Sequence, residues 1–326
     1  MFETFSNSQE LIPKYEVGII PNPEEMIRNP EKIFSKNSTT TTEQRYAKHR
    51  FYRRLISDKD LFLGIGNNGF VCSTRDSENG TVCSKLIWKT LRIIPNKGLP
   101  IADLKNYGDE ISALYNIQEE FKLKRQGNKK LMAGGNKENV PSNTPEAEAC
   151  LQEICRRFLE SGGINCTVPV VRSVFNYSEK EEDYEDYSYF LDDDYVAIDM
   201  EQVKGKSLQD IILGFPDTKE FLDQINLEDF SRDLTLAIKE LHRNGIQHND
   251  ITIRNIMFDT ENRRPAIIDF GKTTINSNQV SEKKEMEHLQ EAINHLKDFL
   301  KDPQKKRVDL IRELKKRNLK AGFIFN

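Results

Sequence analysis

The sequence predicts an α+β protein in two lobes, a five-stranded antiparallel sheet followed by a reduced set of helices. Three observations lead there. Residues 61–74 and 81–91 read as strands joined at Asp76-Ser77-Glu78-Asn79-Gly80, where the Asn-Gly step suits a hairpin turn. Residues 168–175 and 195–200 read as two more strands of the same lobe. Beyond Gly205 the pattern turns helical, with a long amphipathic segment over residues 227–242.

Composition narrows the class of protein. A chain of 326 residues with 37% hydrophobic content can bury a sizeable core in one large domain or two lobes. With 48 Lys and Arg against 52 Asp and Glu, the net charge of −4 excludes bulk attraction to nucleic acid or an anionic membrane. Cys72, Cys83, Cys150, Cys155 and Cys166 are odd in number and lack CxxC spacing, which fits reduced thiols rather than a metal cluster. The first residues, Met1-Phe2-Glu3-Thr4, have neither a basic region nor an apolar core, and no stretch approaches the ~20 apolar residues of a spanning helix. The expectation is a soluble intracellular protein with no membrane contact, cytoplasmic, with the nucleus as the alternative compartment.

Taken in order, residues 1–50 are rich in Asn, Pro, Ser and Glu and predict a polar, mobile tail able to dock on the body or on a partner. Residues 51–203 make the first lobe. Within it, Ile111, Leu114, Tyr115, Gln118 and Phe121 fall at helical spacing, as do Leu151, Ile154, Cys155, Phe158 and Leu159. Residues 122–145, rich in Gly, Asn, Lys and Pro, and the Glu/Asp/Tyr run at 178–194 read as solvated loop insertions. Residues 204–326 make the second lobe, with a helix near 282–300 and a basic C-terminal helix.

Two clusters carry chemistry. Residues 247–255 read Gln-His-Asn-Asp-Ile-Thr-Ile-Arg-Asn, and Ile267-Ile268-Asp269-Phe270-Gly271 comes after them. Earlier, Gly64-Ile65-Gly66-Asn67-Asn68-Gly69-Phe70-Val71 precedes Val82-Cys83-Ser84-Lys85. Glycines let a backbone approach phosphate oxygens and offer N–H donors, although a Gly-rich hairpin without a ligand has the same pattern.

Together these segments resemble the HxDxxxxN…DFG, GxGxxGxV and VxxK motifs of the protein-kinase-like superfamily, in an atypical member with a minimal C-terminal lobe. The resemblance covers residues 60–275. It implies ATP and Mg2+ as cofactors and transfer of a phosphoryl group, with protein serine or threonine as acceptor. By the same resemblance Asp250 orients the accepting hydroxyl, Asn255 and Asp269 hold metal, and Arg254 stabilises transferred charge or is a structural arginine. Gly64, Gly66, Gly69 and Val71 would line the phosphates, Lys85 would reach the α- and β-phosphates with Lys89 as its rival, and Cys83 would cover adenine. The stretch from Met200 to Leu208 resembles the hinge, with Met200 at the gatekeeper position and the Glu201 carbonyl and Val203 amide bonding the base. Glu110 is the expected ion-pair partner of Lys85, with Glu146, Glu148 and Glu153 as alternatives. His248 and Phe270 are expected to pack rather than react.

Departures matter as much. Asn249 replaces the Arg that reads a phosphorylated activation loop, so activation by loop phosphorylation is not expected. Thr252 stands where Ser/Thr kinases carry Lys. No APE motif is found downstream, and only 55 residues lie beyond Gly271, an economy similar to the small kinase of the complex that makes threonylcarbamoyladenosine on tRNA. The basic tail, with Lys305, Lys306, Arg307, Arg312, Lys315, Lys316, Arg317 and Lys320, is a solvated face or a contact for RNA or an acidic partner. A small-molecule kinase of aminoglycoside or choline kinase type, and a nucleotide-binding pseudokinase or ATPase subunit of a complex, are the alternative readings.

Overall fold

The computed structural model describes residues 9–14, 33–36, 43–44, 47–48, 51–52, 62–65, 69–76, 80–95, 144–180, 189–275 and 279–321. They divide into two compact units, the first within Met1–Tyr15, Glu31–Asn139 and Val171–Gln202, the second within Glu16–Pro30, Val140–Val170 and Val203–Asn326.

The first unit is an antiparallel sheet built from β1 (Gln9–Pro13), β2 (Phe34–Lys36), β3 (Phe62–Ile65), β4 (Gly69–Asp76), β5 (Gly80–Pro95), β6 (Val171–Lys180) and β7 (Tyr189–Glu201), in the order β2-β1-β6-β7-β5-β4-β3. The five strands expected from sequence are therefore joined by two from the segment read as a mobile tail, since β1 pairs with both β2 and β6. Register explains why that segment is held. On one face Ser84, Asp199 and Ser173 lie side by side, as do Leu86, Ala197 and Phe175. Asp199 accepts hydrogen bonds from the hydroxyls of Tyr52 and Ser84, each at 2.7 Å, and of Ser173 at 3.0 Å. Lys48, four residues before Tyr52, bonds Glu10 of β1 and lies 3.4 Å from Asp199. The Tyr52 ring closes a cluster with Phe175 and Tyr195, so residues before 53 both cover an aromatic face and neutralise its carboxylate. The acidic run expected as a loop over 178–194 is shorter than that. β6 runs to Lys180 and β7 starts at Tyr189, because β5 is long enough to pair with β7 out to Pro95↔Tyr189.

The second unit contains α1 (Pro145–Ser161), α2 (Leu208–Leu213), α3 (Lys219–Leu222), α4 (Leu227–Arg243), α5 (Gln279–Lys301) and α6 (Pro303–Ala321). It also holds a β8 (Gly205–Ser207), β10 (Ile256–Asp259), β11 (Arg264–Ile267) sheet and a β9 (Ile246–Gln247) to β12 (Thr274–Ile275) ribbon. Asn226 caps α4 by accepting the N–H groups of Glu228 and Asp229, and Gly245 beyond its end takes a positive φ of 71° that turns the chain into β9. Phe230, Leu234, Ala237, Ile238 and Leu241 form its buried stripe, the larger ones worth about 1.5–3 kcal/mol apiece.

Sequence placed residues 51–203 in one lobe, but α1 belongs with the helices. Thr144 caps it at the Ala147 N–H with Pro145 at its first position, and it packs on α4. The chain after it is pinned to this unit by Asn165 Nδ2 donating to Asp233 at 2.7 Å, by a Thr167–Ala266 bridge, and by Thr167 Oγ1 donating to Asp259 at 2.7 Å. The expected helix over residues 111–121, the 122–143 part of the insertion and Glu110 lie outside the described residues.

β8 depends on one glycine. Gly205 has φ 157°, and a Cβ there would stand 1.9 Å from the Phe258 carbonyl oxygen on β10. Gly205→Ala is expected to destabilise the chain by roughly 3 kcal/mol or more, since backbone rather than a flexible side chain would have to move. Urea unfolding followed by circular dichroism checks this; an unchanged midpoint would contradict it.

Candidate active site

Strand pairing assembles the first group of candidates. Val71 lies opposite Lys85, and Lys85 opposite Ile198 and Val174 beyond it. Cys83 lies opposite Ser73 and Met200. Val71, Cys83, Lys85 and Met200 therefore share one face, the side turned away from Asp199 and Tyr52. Burial pushes the Cys83 thiol up to about 12, beyond what nearby Lys85 offsets, so it stays a neutral thiol. Gly64 and Gly69 flank the β3–β4 turn within those strands, whereas Gly66 is outside the described residues. Lys89 falls at a register break of β5, unlike Lys85. Glu201 ends β7 in an ion pair with Arg172, and Val203 comes where the first unit gives way to the second.

The second group is held by backbone chemistry. Asn255 donates its Nδ2–H to the Asp250 carbonyl at 2.9 Å, which closes the loop and leaves Asn255 Oδ1 as an acceptor. The Ile268 N–H then donates to the Asn255 carbonyl at 3.0 Å, while the Ile268 carbonyl accepts from His248 Nε2 at 3.1 Å. His248 Nδ1 accepts the Asp250 N–H at 3.3 Å, which fixes the Nε2–H tautomer. Its fully buried ring packs edge-on against Phe270 at 4.9 Å. Asp250 and Asp269 are thus carried on two loops clamped to one imidazole. Asp269 itself has φ 65°, a left-handed conformation that turns the chain sharply there.

The segment after Gly271 is tied to the same loop. Asn249 also adopts positive φ, 63°, which Asn tolerates better than most residues. Its side-chain amide donates to the Lys272 carbonyl at 3.1 Å and to Thr274 Oγ1 at 2.8 Å, and its N–H donates to Glu285 at 2.6 Å. The other oxygen of Glu285 meets His242 Nε2 at 2.6 Å, and Gln247 Nε2 donates to the Ser281 carbonyl at 2.7 Å. Lys272 reaches back, its Nζ 3.0 Å from Asp250 Oδ1. On the far side, a Cβ at Gly271 would lie 3.1 Å from Glu148 Oε2 and 3.4 Å from Asp269 Oδ1, so two carboxylates converge on this glycine. Glu153, one of the alternatives to Glu110, is ion-paired with Arg156 and Arg157 at 2.6 and 2.9 Å.

The family described as Protein kinase domain matches residues 184–298, the stretch that contains this clamp. Over these residues the chain is similar to protein kinases. Its relatives include a probable serine/threonine-protein kinase KIN1 homolog of Encephalitozoon cuniculi, 39% identical over 79 residues, 24% of this chain and 13% of the relative. The protein of that description from Enterocytozoon bieneusi is 35% identical over 83 residues, 26% of this chain and 13% of the relative. A probable cell division control protein 7 homolog 2 of Encephalitozoon cuniculi is 40% identical over 58 residues, 17% of this chain and 16% of the relative. The kinase-like chain thus matches only a small part of these relatives' lengths.

Sequence reasoning missed Glu285 and Lys272 in this kinase-like chain. Glu285 was legible in part: it shares a helical stripe with Leu289, Ala292, Leu296 and Phe299, where a carboxylate is out of place unless it has buried partners. Arg254 is exposed and stands apart from these bonds. Among the described residues no three His, Cys, Asp or Glu side chains form a metal-ligating group.

Burial lowers the His248 pKa against the opposing pull of Glu285, Asp269 and Asp250, so the folded protein keeps the ring neutral where an unfolded chain protonates it. Stability is full above the ordinary histidine pKa and is lost as pH falls below about 6.5, at up to about 1.4 kcal/mol per pH unit. In His248→Phe that portion of the slope should vanish although overall stability drops. Urea titrations of both proteins at pH 5.5 and 7.5 decide it; parallel slopes would contradict the assignment.

Proposed function

We propose that this chain is an ATP- and Mg2+-dependent phosphotransferase, an atypical kinase acting on protein serine or threonine. The observation that carries the reading is the double hydrogen bond at Ile268, which fixes Asp269 relative to Asp250 and Asn255. The names of the relatives support the acceptor class. The start of α5 at Gln279, so soon after Gly271, supports an atypical form without a long peptide-docking segment.

The donor set fits Mg2+. Asn255 Oδ1 and the Asp269 carboxylate are hard oxygens, and Mg2+ takes one or two such side chains and completes its shell with phosphate oxygens and water. The crowding of Glu148 and Asp269 carboxylates around Gly271 adds negative charge that favours a cation nearby. When bound, Mg·ATP supplies the phosphoryl group and much of the charge that steadies its transfer.

The chain's own groups do the rest. Val71 and the neutral Cys83 cover the base, the Glu201 carbonyl and Val203 N–H orient it, and Lys85 holds phosphate oxygens with the backbone at Gly64, Gly66 and Gly69. Asp250 receives the proton of the accepting hydroxyl. Asn249 orders residues 272–274 without a phosphate, which supports a kinase that needs no phosphorylation of that segment.

Transfer of radiolabelled γ-phosphate to itself and to generic protein acceptors tests this, beside Lys85→Ala, Asp250→Asn and Asp269→Ala. Asp250→Asn should lose ~10²–10⁴-fold, and Asp269→Ala at least as much. Label that persists in Asp269→Ala would overturn the reading. ATP binding with label only on small acceptors, or phosphate release alone, would replace it with the small-molecule kinase or ATPase alternative.

A further inference from the structure

We infer that Lys272 is the cation that contacts the γ-phosphoryl group during transfer, so that the charge for this step comes from just after Gly271 and not from the loop that carries Asp250. The inference rests on the kinase reading above.

A phosphoryl group moving between Asp250 and Asp269 needs positive charge besides the metal, because both neighbours are anionic. The sequence from His248 to Thr274 holds four permanent cations, Arg254, Arg263, Arg264 and Lys272. Arg264 is committed to Thr167, with Nε donating to its hydroxyl at 2.7 Å. Arg263 sits in the β10–β11 turn with φ 52°, and Arg254 is exposed without an ion pair to Asp250. Lys272 Nζ alone among these lies within ion-pair distance of Asp250, at 3.0 Å from Oδ1. The catalytic loop offers no substitute: Thr252 is uncharged, and its Oγ1 is buried without a hydrogen-bond partner among the described residues.

The geometry of Lys272 suits a ligand contact better than a surface ion pair. Its backbone is fixed, since its carbonyl accepts from Asn249 and the next N–H, of Thr273, donates to the Phe270 carbonyl at 3.0 Å. Its side chain is 60% exposed while that of Asp250 is only 15% exposed. An ammonium has three donors and Oδ1 occupies one, which leaves two for phosphate oxygens. A surface pair of this kind would add little to stability, so its value lies in what it does to a bound anion.

In the step itself the acceptor oxygen forms its bond to the γ-phosphorus while the bond from that phosphorus to the β,γ-bridging oxygen breaks. The bridging oxygen keeps the electron pair and leaves on ADP. The hydroxyl proton passes to Asp250 Oδ2, the oxygen not facing Lys272, and Lys272 stays protonated throughout as its charge shifts from Oδ1 toward the γ-oxygens.

The test uses the full chain with Lys272→Met and Lys272→Arg. Calorimetric Kd values for Mg·ATP and Mg·ADP are compared, and amine acylation of Lys272 is followed by mass spectrometry with each nucleotide. In the wild type, ATP but not ADP should protect Lys272. Lys272→Met should weaken ATP binding about tenfold with ADP binding nearly unchanged, and lower kcat by ~10²-fold, whereas Lys272→Arg should keep most of the preference for ATP. Equal acylation with either nucleotide, together with unchanged ATP affinity and kcat in Lys272→Met, would overturn the role of Lys272 while the wild type's own binding and transfer upheld the kinase reading. A wild type that binds no Mg·ATP would overturn both.

Discussion

The peptide groups on either side of Ile268 are bonded to the loop that precedes them, N–H to Asn255 and C=O to His248, and much of the second unit is arranged to keep those bonds away from water. His248 is fully buried and Asn255 nearly so. Buried backbone groups must find partners, and here the partners come from the loop of residues 248–255, so the positions of Asp250 and Asp269 result from satisfying hydrogen bonds. A neutral imidazole suits that task because it offers one donor and one acceptor in fixed directions, which a charged ring would not.

Glu285 extends the same logic outward. Its two oxygens serve the Asn249 N–H and His242, so a single buried carboxylate links α5, the end of α4 and the loop that begins at His248. Asn249 then passes the restraint to residues 272–274. The order of residues 272–274 thus comes from an amide that is always present. The left-handed backbone at Asn249 and Asp269 is the conformational cost of bringing the two loops together.

The local parts of this arrangement were legible in the sequence. Asp250, Asn255 and Asp269 sit in contiguous motifs, and the hairpin joining β4 and β5 is announced by Asn79-Gly80. The face shared by Val71, Cys83 and Lys85 is a matter of strand alternation once the register is known. The illegible parts depend on distant partners. β1 is short, polar at its start and closed by Pro13, so its place in the sheet rests on β6, more than a hundred residues away. Membership of α1 in the second unit is set by Asp233, Asp259 and Ala266, none of which its own amphipathic pattern specifies. Lys272 gained meaning only when its ammonium was found beside Asp250.

The strands and side chains contributed by residues 9–52 bear on how the protein is handled in the laboratory. A fragment trimmed to the motif-bearing region, starting near residue 60, would remove Tyr52, Lys48 and Glu10 together. Asp199 would lose its phenol and its ammonium, Phe175 and Tyr195 would face solvent, and β6 would become a bare sheet edge open to pairing with another chain. Aggregation of such a fragment would then reflect the loss of its own N-terminal cover and not a weakness of the second unit, and the boundary suited to expression is the one that keeps residue 9.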